Sequence, residues 1–394
     1  MQSILKRPLR MAMVSALFTP HTGGTETHIY QVARHLAQAG VDISVLTTNH
    51  SGDLPAYECV EGIHIHRVRA YPKGSDLFYA PGLYPLMTQG KWDLLHVQSY
   101  HTLVPPLAML AALRASIPYV LTFHGGGHSS QLRNRIRRMQ WLALQPLLAH
   151  AARLIAVADF EIALFGKALR LPTSRFALIP NGCDLGSEAQ AEPQQAAASC
   201  RTNGTSIVSI GRLEKYKGHQ HAIAALPKVI AQQPDAYLRI AGSGPYKAQL
   251  LDLARQLGVA ERVEIRAVPS GNRAEMAQLL SSAALVTLFS DYETHPIAAL
   301  EALALRRPLL VTHTSGLAEL AERGLAPSVP LNSTADQIAS AMLAQLRHPR
   351  PAPQIELPTW EQCTTDLLKL YREVLSEQTS RANQTLRRSP ACAS

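Results

Sequence analysis

Short apolar runs alternate along almost the whole chain with stretches in which apolar residues recur at helical spacing. This alternation is typical of strand–helix–strand units built around parallel sheets. In the first half we predict strands at Met11–Leu17, Ile43–Thr47, Ile63–Val68, Leu94–Val97, Tyr119–Phe123, Leu154–Val157 and Phe176–Ile179. The helices predicted between them are Glu26–Gln38, Leu103–Ala115, Leu132–Ala151 and Phe160–Leu169.

The same rhythm restarts in the second half of the chain, with helices between its strands. The strands predicted there are Ser206–Ile210, Tyr237–Ala241, Val263–Arg266, Leu285–Phe289 and Pro308–Thr312. Residues 187–205 are rich in Ala, Gln, Ser and Glu and have no apolar period, so they predict a linker. A chain of 394 residues also exceeds the roughly 250–300 residues at which single cores stop growing.

We therefore predict an α/β protein of two doubly wound, Rossmann-like domains that face each other across a cleft. The N-terminal domain spans 1–186 and the C-terminal domain 206–357. A segment over 358–378, with helical periodicity from Trp360 to Leu375, predicts a final helix. The polar and basic residues 379–394 are expected to be disordered.

The formal net charge of +9 suits three kinds of partner: nucleic acid, an anionic membrane surface or a phosphate-bearing substrate. The sequence has no zinc-finger spacing and no aromatic base-stacking pattern, so we do not expect nucleic acid. The predicted helix Leu132–Ala151 begins with four arginines and continues with Trp141 and leucines, which leaves peripheral membrane binding open. The arginines are Arg133, Arg135, Arg137 and Arg138.

The cysteines and the N-terminus bear on the compartment. The five cysteines are scattered and form no CxxC pair, a pattern that fits a reducing compartment. The apolar run Met11–Phe18 is too short for the ~20 residues of a membrane span and reads as a buried first strand. We expect a cytoplasmic protein, with binding to the inner face of the membrane as the open alternative.

Open α/β sheets bind ligands beyond the carboxyl ends of their strands, and two loops of the first half lie there. Gly23 and Gly24, between the first strand and the first helix, would let backbone N–H groups approach an anion, or would only make a tight turn. His124 follows the fifth strand beside a run of glycines. His124 and His128 are four residues apart, but HExxH is absent and the glycines disfavour a helix, so we predict no metal site.

Two further strand-end loops lie in the second half. Arg212 and Lys217 occupy the first strand-to-helix turn, where guanidinium and ammonium groups would bind a pyrophosphate or form a solvated charged turn. Neither a GxGxxG nor a GxxxxGK[ST] pattern is present, so a dinucleotide fingerprint and a Walker loop are excluded. Gly242 begins the next strand-end loop, a weaker signal on its own.

The segment 290–303 carries two carboxylates around a helix start. Pro296 is favoured at the first position of a helix, which places Glu293 in the loop before the helix and Glu301 inside it. A loop carboxylate would accept sugar hydroxyls, and a carboxylate in the helix would hold a ribose diol. The helix N-terminus between them would face a phosphate.

Taken together, these loops resemble the family 4 glycosyltransferases, retaining enzymes of the GT-B fold. The resemblance runs in order from Pro20–Gly24 to the Trp360 helix. The segments that carry it are Phe123-His124-Gly125, Ile179-Pro180-Asn181-Gly182, Gly211-Arg212 with Lys217-Gly218, Gly242-Ser243-Gly244-Pro245, and Glu293 to Glu301.

The resemblance implies a role for each site residue. Arg212 and Lys217 would bind the donor diphosphate, Glu301 the ribose and Glu293 the donor sugar, while His124 would reach the sugar near the reacting carbon. Backbone around Val268 would contact the base, and the Gly23-Gly24 loop would close over the phosphates. Further donor-site residues are Gly242, Thr294 and Ile297.

The resemblance also implies the reaction. A sugar would pass from a nucleoside-diphosphate donor to a hydroxyl of a sugar or lipid-linked acceptor, with retention, no cofactor and no metal ion. Synthesis of cell-surface polysaccharide, lipopolysaccharide or glycolipid is the expected setting. The alternatives are an inverting GT-B transferase, a sugar-nucleotide epimerase and a catalytically silent sugar-nucleotide-binding protein.

One departure from the family bears on the donor. The family usually has Gly-Phe-Gly after the first glutamate, whereas this chain has Thr294-His295-Pro296. Proline has no N–H, so one phosphate donor is missing, and the bulkier residues would narrow the sugar pocket. The departure leaves the identity of the donor sugar in question.

Overall fold

The computed structural model describes residues 7–21, 23–73, 78–125, 131–183, 185, 204–268, 272–350, 353 and 355–388. Within helices, the side chains of residues 131–136, 138 and 381–388 are outside the description. The predicted linker up to residue 203 also lies outside the described residues, as does His128.

The first half of the chain forms an eight-stranded sheet in the order β3-β4-β2-β1-β5-β6-β7-β8. Its pairings are parallel except for β3 with β4. The central strands β1, β5 and β6 are apolar and buried almost throughout, as expected when helices cover both faces of a parallel sheet. The strands are β1 (Arg10–Val14), β2 (Asp42–Asn49), β3 (Tyr57–Val60), β4 (Ile63–Arg69), β5 (Leu94–Gln98), β6 (Tyr119–Thr122), β7 (Arg153–Ala156) and β8 (Phe176–Leu178).

In the described part of the first half, the helices beside this sheet are α1 (Gly24–Gln38), α2 (Leu83–Gln89), α3 (Val104–Arg114), α4 (Gln131–His150) and α5 (Asp159–Leu169). The buried side chains divide into two clusters, one around Tyr100, Phe123 and Phe165 and one around Met11, Ile29 and Ile43.

The second half forms a six-stranded, all-parallel sheet in the order β11-β10-β9-β12-β13-β14. Its strands are β9 (Ser206–Ile210), β10 (Tyr237–Ala241), β11 (Val263–Arg266), β12 (Leu285–Leu288), β13 (Leu309–Thr312) and β14 (Ser328–Val329). Its helices are α6 (His219–Gln232), α7 (Lys247–Gln256), α8 (Arg273–Ser281), α9 (Ile297–Ala304), α10 (Ser315–Glu322) and α11 (Ala335–Arg347). The predicted α/β class with two Rossmann-like sheets is confirmed.

The last helix, α12 (Trp360–Arg388), packs on the first half of the molecule. Trp360, Leu367, Tyr371 and Val374 are buried in the cluster around α1. The helix continues through residues 379–388, which we expected to be disordered. That expectation is wrong for those residues, because the segment has no Pro or Gly and its Arg, Ala, Gln and Leu residues are good helix formers.

Several elements differ from the sequence prediction. The pattern misses β3, α2 and β14, and it extends β1 to Leu17 although the strand ends at Val14. Strand β3 is only partly buried and β14 has two residues, so neither shows an alternation of apolar residues long enough to predict a strand. Among the described residues, no helix is both long and apolar enough to cross a membrane.

Candidate functional site

The carboxyl edges of the two sheets face each other, and several contacts join them. Asn181 Nδ2 donates to the His295 carbonyl at 3.1 Å, and the Phe160 amide donates to Glu319 Oε1 at 2.9 Å. The partly buried side chain of Ile297 packs against the cluster formed by α1 and α12. These contacts bring the loop 290–296, here called the Glu293 loop, against the N-terminal half.

Lys217 and Glu293 form an ion pair in the cleft. Lys217 Nζ lies 2.6 Å from Glu293 Oε1, and Ser290 Oγ donates to the same oxygen at 2.8 Å. The two side chains are only 16% and 11% exposed, so water screens the pair weakly. The Glu293 amide in turn donates to Ser315 Oγ at 2.9 Å. Lys217 and Glu293, 76 residues apart, are thus brought together by adjacent strand ends.

Local backbone geometry holds Lys217 in place. Gly218 has φ +73°, the left-handed region, and starts α6 directly after the 3₁₀ turn Lys215–Lys217. A Cβ at Gly218 would lie 1.8 Å from the Phe289 carbonyl oxygen. Only glycine fits both conditions, which explains why the basic residue is followed by glycine.

Arg212 stands on the C-terminal face and reaches the Gly23 loop. A Cβ on Gly23 would lie 3.8 Å from Arg212 Cδ and 2.3 Å from Glu26 Oε2. Desolvation lowers the pKa of Arg212, but Tyr216 and Glu26 outweigh it and raise the pKa above its ordinary value. Arg212 Nη2 also donates to the Tyr216 hydroxyl at 2.5 Å. Gly23 therefore makes room for Glu26, a carboxylate that the sequence analysis did not single out.

On the N-terminal face, His124 has the strained φ of +52°. Its Nε2 hydrogen-bonds Gln98 Oε1 at 2.7 Å, and its ring lies edge-on to His28 with centroids 4.6 Å apart. Burial, followed by the nearby His28, His96 and His101, holds the pKa of His124 well below its usual range. His124 is consequently neutral at physiological pH and is a hydrogen-bonding group, not a cation.

Gly125, the next residue, lies against the Glu293 loop of the C-terminal half. Its φ is +122°, and a Cβ there would lie 3.1 Å from Thr294 Oγ1 and 3.7 Å from Tyr292 Cε1. The His124-Gly125 turn therefore lies directly against the Glu293 loop. Thr294 stands where the sequence predicts a donor-site residue, at the meeting point of the two halves.

Glu161 binds the backbone of the His124-Gly125 turn. The sequence did not predict this residue. The carboxylate is fully buried and accepts the amides of Gly125 and Val157, each at 2.9 Å. Burial raises the pKa of Glu161 to about 7, although the two backbone amides oppose the shift. An acidic residue in the first turn of α5 resembles an ordinary helix-dipole residue, so its sequence position gave no signal.

Glu301 lies inside α9 and is engaged by Arg273. Its carboxylate is 4% exposed, and Arg273 Nη2 lies 2.5 Å from Oε1. Pro296 is the N-cap of α9 and not its first helical residue, a shift of one position from the expectation. Arg273, at the start of α8, was not foreseen because it lies 28 positions from Glu301 in the sequence and on a different helix.

Gly242 and Val268 lie at the rim of the C-terminal sheet. A Cβ at Gly242 would lie 1.9 Å from the Gly211 carbonyl oxygen, and the Gly242 amide donates to the Arg266 carbonyl at 2.9 Å. Gly242 therefore allows two strand-end loops to touch. Val268 packs on the core of this half. Gly24 opens α1, where a Cβ would meet nothing within 4 Å.

The structure brings Arg212, Lys217, Glu293 and Thr294 together with the His124-Gly125 turn. The cationic groups and the N-terminus of α9 suit a ligand with two negative charges, and the neutral histidine suits a polar group beside it. Within the described part of the chain, no group of three or more His, Cys, Asp or Glu side chains is arranged to hold a metal ion.

Two family models match the chain in succession. Residues 22–187 match "Glycosyltransferase Family 4", and residues 192–352 match "Glycosyl transferases group 1". The two matches correspond to the two sheets.

Individual proteins agree with these models. The chain is 30% identical over 347 residues to a glycogen synthase of Mycobacterium tuberculosis, covering 80% of this chain and 81% of that protein. It is 26% identical to a D-inositol 3-phosphate glycosyltransferase of Mycobacterium marinum, over 98% of this chain and 89% of that one. The fold matches Anabaena HepE in complex with UDP-glucose, with a TM-score of 0.68 and 17% identity, over 94% of this chain and all of the other.

Proposed function

The chain belongs to glycosyltransferase family 4 and has the GT-B fold, and on that basis we propose that it transfers a hexose from a nucleoside-diphosphate donor to a hydroxyl acceptor, with retention of configuration and without a metal ion. The observation that carries this proposal is the set of Arg212, Lys217 and Glu293 on the C-terminal face, opposite His124 and Gly125.

The charges in the cleft support departure of a diphosphate. Arg212 and Lys217 neutralise the charge that develops on the leaving group, and the N-terminus of α9 adds favourable partial charge. Such preorganised groups are usually the largest contribution to lowering the barrier. In this role they take the place of a divalent ion.

Glu293 is suited to holding the donor sugar. Its Oε1 is committed to Lys217 and Ser290, which fixes the carboxylate and directs it into the cleft. A fixed carboxylate accepts sugar hydroxyls in one orientation and thereby positions the anomeric carbon. The bond between the anomeric carbon and the diphosphate oxygen then breaks as the acceptor hydroxyl bonds to that carbon on the same face, beside the neutral His124. The hydroxyl proton passes to an oxygen of the departing diphosphate.

A structural relative indicates which donor to test first. Anabaena HepE was crystallised with UDP-glucose, so a uridine-diphosphate hexose is the first donor to test. Thr294 and Pro296 stand where the family usually has glycine and would narrow the sugar side of the site, which favours a donor sugar held tightly on that side.

The acceptor belongs to cell-surface polysaccharide, lipopolysaccharide or glycolipid synthesis at the cytoplasmic face of the membrane. Helix α4 supports binding to an anionic membrane, because its arginine-rich half continues into the exposed side chains of Met139 (71%) and Leu142 (63%). Trp141, Leu144 and Leu148 of the same helix are buried and attach it to the N-terminal core.

A panel of UDP, GDP, ADP and dTDP sugars tests the proposal. One base should raise the melting temperature of the protein through mass action, and the matching sugar nucleotide should be hydrolysed slowly without acceptor. Release of nucleoside diphosphate should persist in EDTA. If release stops in EDTA and returns with Mg²⁺ or Mn²⁺, the reaction is metal-dependent, and if no sugar nucleotide binds, the proposed activity is wrong.

A further inference from the structure

Asn181 connects the two halves of the site through both ends of its side chain. The residue follows β8, is 5% exposed, and lies in the segment that resembles the family motif. Its Nδ2 donates to the His295 carbonyl at 3.1 Å, and its Oδ1 lies 2.8 Å from His28 Nδ1. Because a carbonyl only accepts, the amide orientation is settled, and His28 must donate through Nδ1–H.

The His28 end leads to His124. The His28 ring is buried in α1, edge-on to His124 with centroids 4.6 Å apart and to Trp360 at 5.8 Å. Burial lowers the pKa of His28 to about 4, so the ring is neutral and carries its single proton on Nδ1. Asn181 thereby fixes the tautomer and the orientation of the ring on which His124 rests.

The His295 end leads to Glu293. The carbonyl that Asn181 binds belongs to the Glu293 loop, two residues after Glu293 and immediately before Pro296, the N-cap of α9. The loop is also fixed from its own side, where the Gly316 amide donates to the Glu293 carbonyl at 2.9 Å. Asn181 supplies a side-chain hydrogen bond to this loop from the N-terminal half.

Asn181 itself is held where the chain crosses between the halves. A Cβ on the neighbouring Gly182 would lie 2.2 Å from the Trp360 backbone nitrogen, and the Cys183 amide donates to the Pro358 carbonyl at 2.8 Å. The outgoing and returning segments of the chain therefore touch at this point. Cys183 and Leu185 already belong to the core of the C-terminal half. A side chain anchored at this crossing is well placed to set the distance between the two faces.

We propose that Asn181 is a positioning residue that holds the Glu293 loop against the rings of His28 and His124. It would thereby set the distance between the donor sugar and His124. The proposal rests on the proposed glycosyl transfer. Asn181 touches neither Arg212 nor Lys217 in any described contact, so it acts on turnover and not on nucleotide affinity. If Asn181 only provides a hydrogen-bond partner for the buried His28 ring, its replacement should lower the stability of the protein and leave the mobility of the Glu293 loop unchanged.

Two substitutions separate these roles. In Asn181→Asp one carboxylate oxygen still accepts the hydrogen bond from His28, but the amide nitrogen that donates to the His295 carbonyl is replaced by an oxygen. Asn181→Leu removes both hydrogen bonds and has a similar side-chain volume. Both variants should lower kcat about tenfold or more, while KM for the donor changes less than about threefold. Asn181→Ser, smaller and still polar, serves if the Leu variant does not fold.

Hydrogen exchange supplies a readout that does not depend on activity. Exchange in a peptide covering the Glu293 loop should rise in Asn181→Asp, while a control peptide over β10 stays unchanged. The His28 Nδ1–H resonance should persist in Asn181→Asp and be displaced in Asn181→Leu. Unchanged loop exchange, or raised exchange with kcat within about twofold of wild type, overturns the proposal. If wild type itself transfers no sugar, the proposed function fails while the exchange result still decides whether Asn181 holds the loop.

Discussion

On the C-terminal face of the cleft the candidate site residues are charged and paired with one another, whereas the histidines of the N-terminal face are held neutral by burial. Lys217 and Glu293 stand 2.6 Å apart. His28 and His124 both have pKa values lowered below the usual range. In the proposed reaction this difference would divide the work: one face would stabilise the charge on the leaving group, and the histidines of the other would offer hydrogen bonds without adding charge.

The largest expected effects lie on the charged face. Arg212→Ala and Lys217→Ala should each weaken binding of the nucleoside diphosphate by about 1.5–3 kcal/mol, the range for hydrogen bonds to charged groups. Lys215→Ala is the matched control, because Lys215 is a neighbouring, exposed lysine in the same turn. Isothermal titration measures all three. Equal affinity in Lys217→Ala and Lys215→Ala would contradict the assignment of the diphosphate to Lys217.

The sequence foresaw the proximity of residues best on the charged face, while their roles stay predictions. Arg212, Lys217 and Glu293 each follow a strand, and the carboxyl ends of parallel strands meet at one edge, so local position was enough to bring them together. The N-terminal face depends on contacts between distant residues, such as His28 with Asn181 across 153 positions. No periodicity or spacing encodes such contacts, and Glu161 and Asn181 were therefore not assigned roles from the residues alone.

The two carboxylates of the charged face should act differently. Glu293→Gln should reduce turnover about tenfold or more and leave nucleotide affinity nearly unchanged, because the amide cannot form the ion pair that fixes this group. Glu301→Gln should instead weaken nucleoside binding and release Arg273, its partner at 2.5 Å. Steady-state kinetics and titration with free UDP and GDP distinguish the two. An equal loss of UDP or GDP affinity in both variants would contradict the assignment of the sugar to Glu293 and of the ribose to Glu301.

On the neutral face, Glu161 should make the free energy of unfolding depend on pH. Its pKa is raised to about 7, so the folded state holds the proton more tightly than the unfolded chain does. The contribution of Glu161 to the free energy of unfolding therefore falls as the pH rises from the ordinary carboxylate value to about 7. Glu161→Gln removes this titration.

Unfolding of wild type and Glu161→Gln by denaturant at pH 5 and pH 7.5 checks this expectation. Between the two pH values, wild type should lose about 2 kcal/mol relative to the variant. His28 titrates with the opposite sign in an overlapping range, but it is present in both proteins and cancels in the difference. Parallel pH dependence in the two proteins would show that Glu161 is not protonated in the folded state.

The smallest effect per residue concerns helix α4, whose first half carries the arginines. Replacing Arg133, Arg135 and Arg138 by glutamine should weaken binding to anionic vesicles, since each basic residue near such a surface contributes about 1 kcal/mol. Arg137 is left in place because its Nη1 is buried. Nucleotide affinity should not change. Sedimentation with anionic and zwitterionic vesicles at low and high salt measures the effect. Binding that ignores lipid charge would exclude α4 as the docking element.

We propose that the two faces together perform glycosyl transfer with retention. Early-time proton NMR of the sugar released from an α-linked nucleoside-diphosphate hexose tests it most directly, because hydrolysis is read before the free sugar mutarotates. For a retaining enzyme the α-anomer should be released first, and Glu293→Gln should slow its release. Release of the β-anomer first would establish an inverting enzyme and contradict the proposed retention.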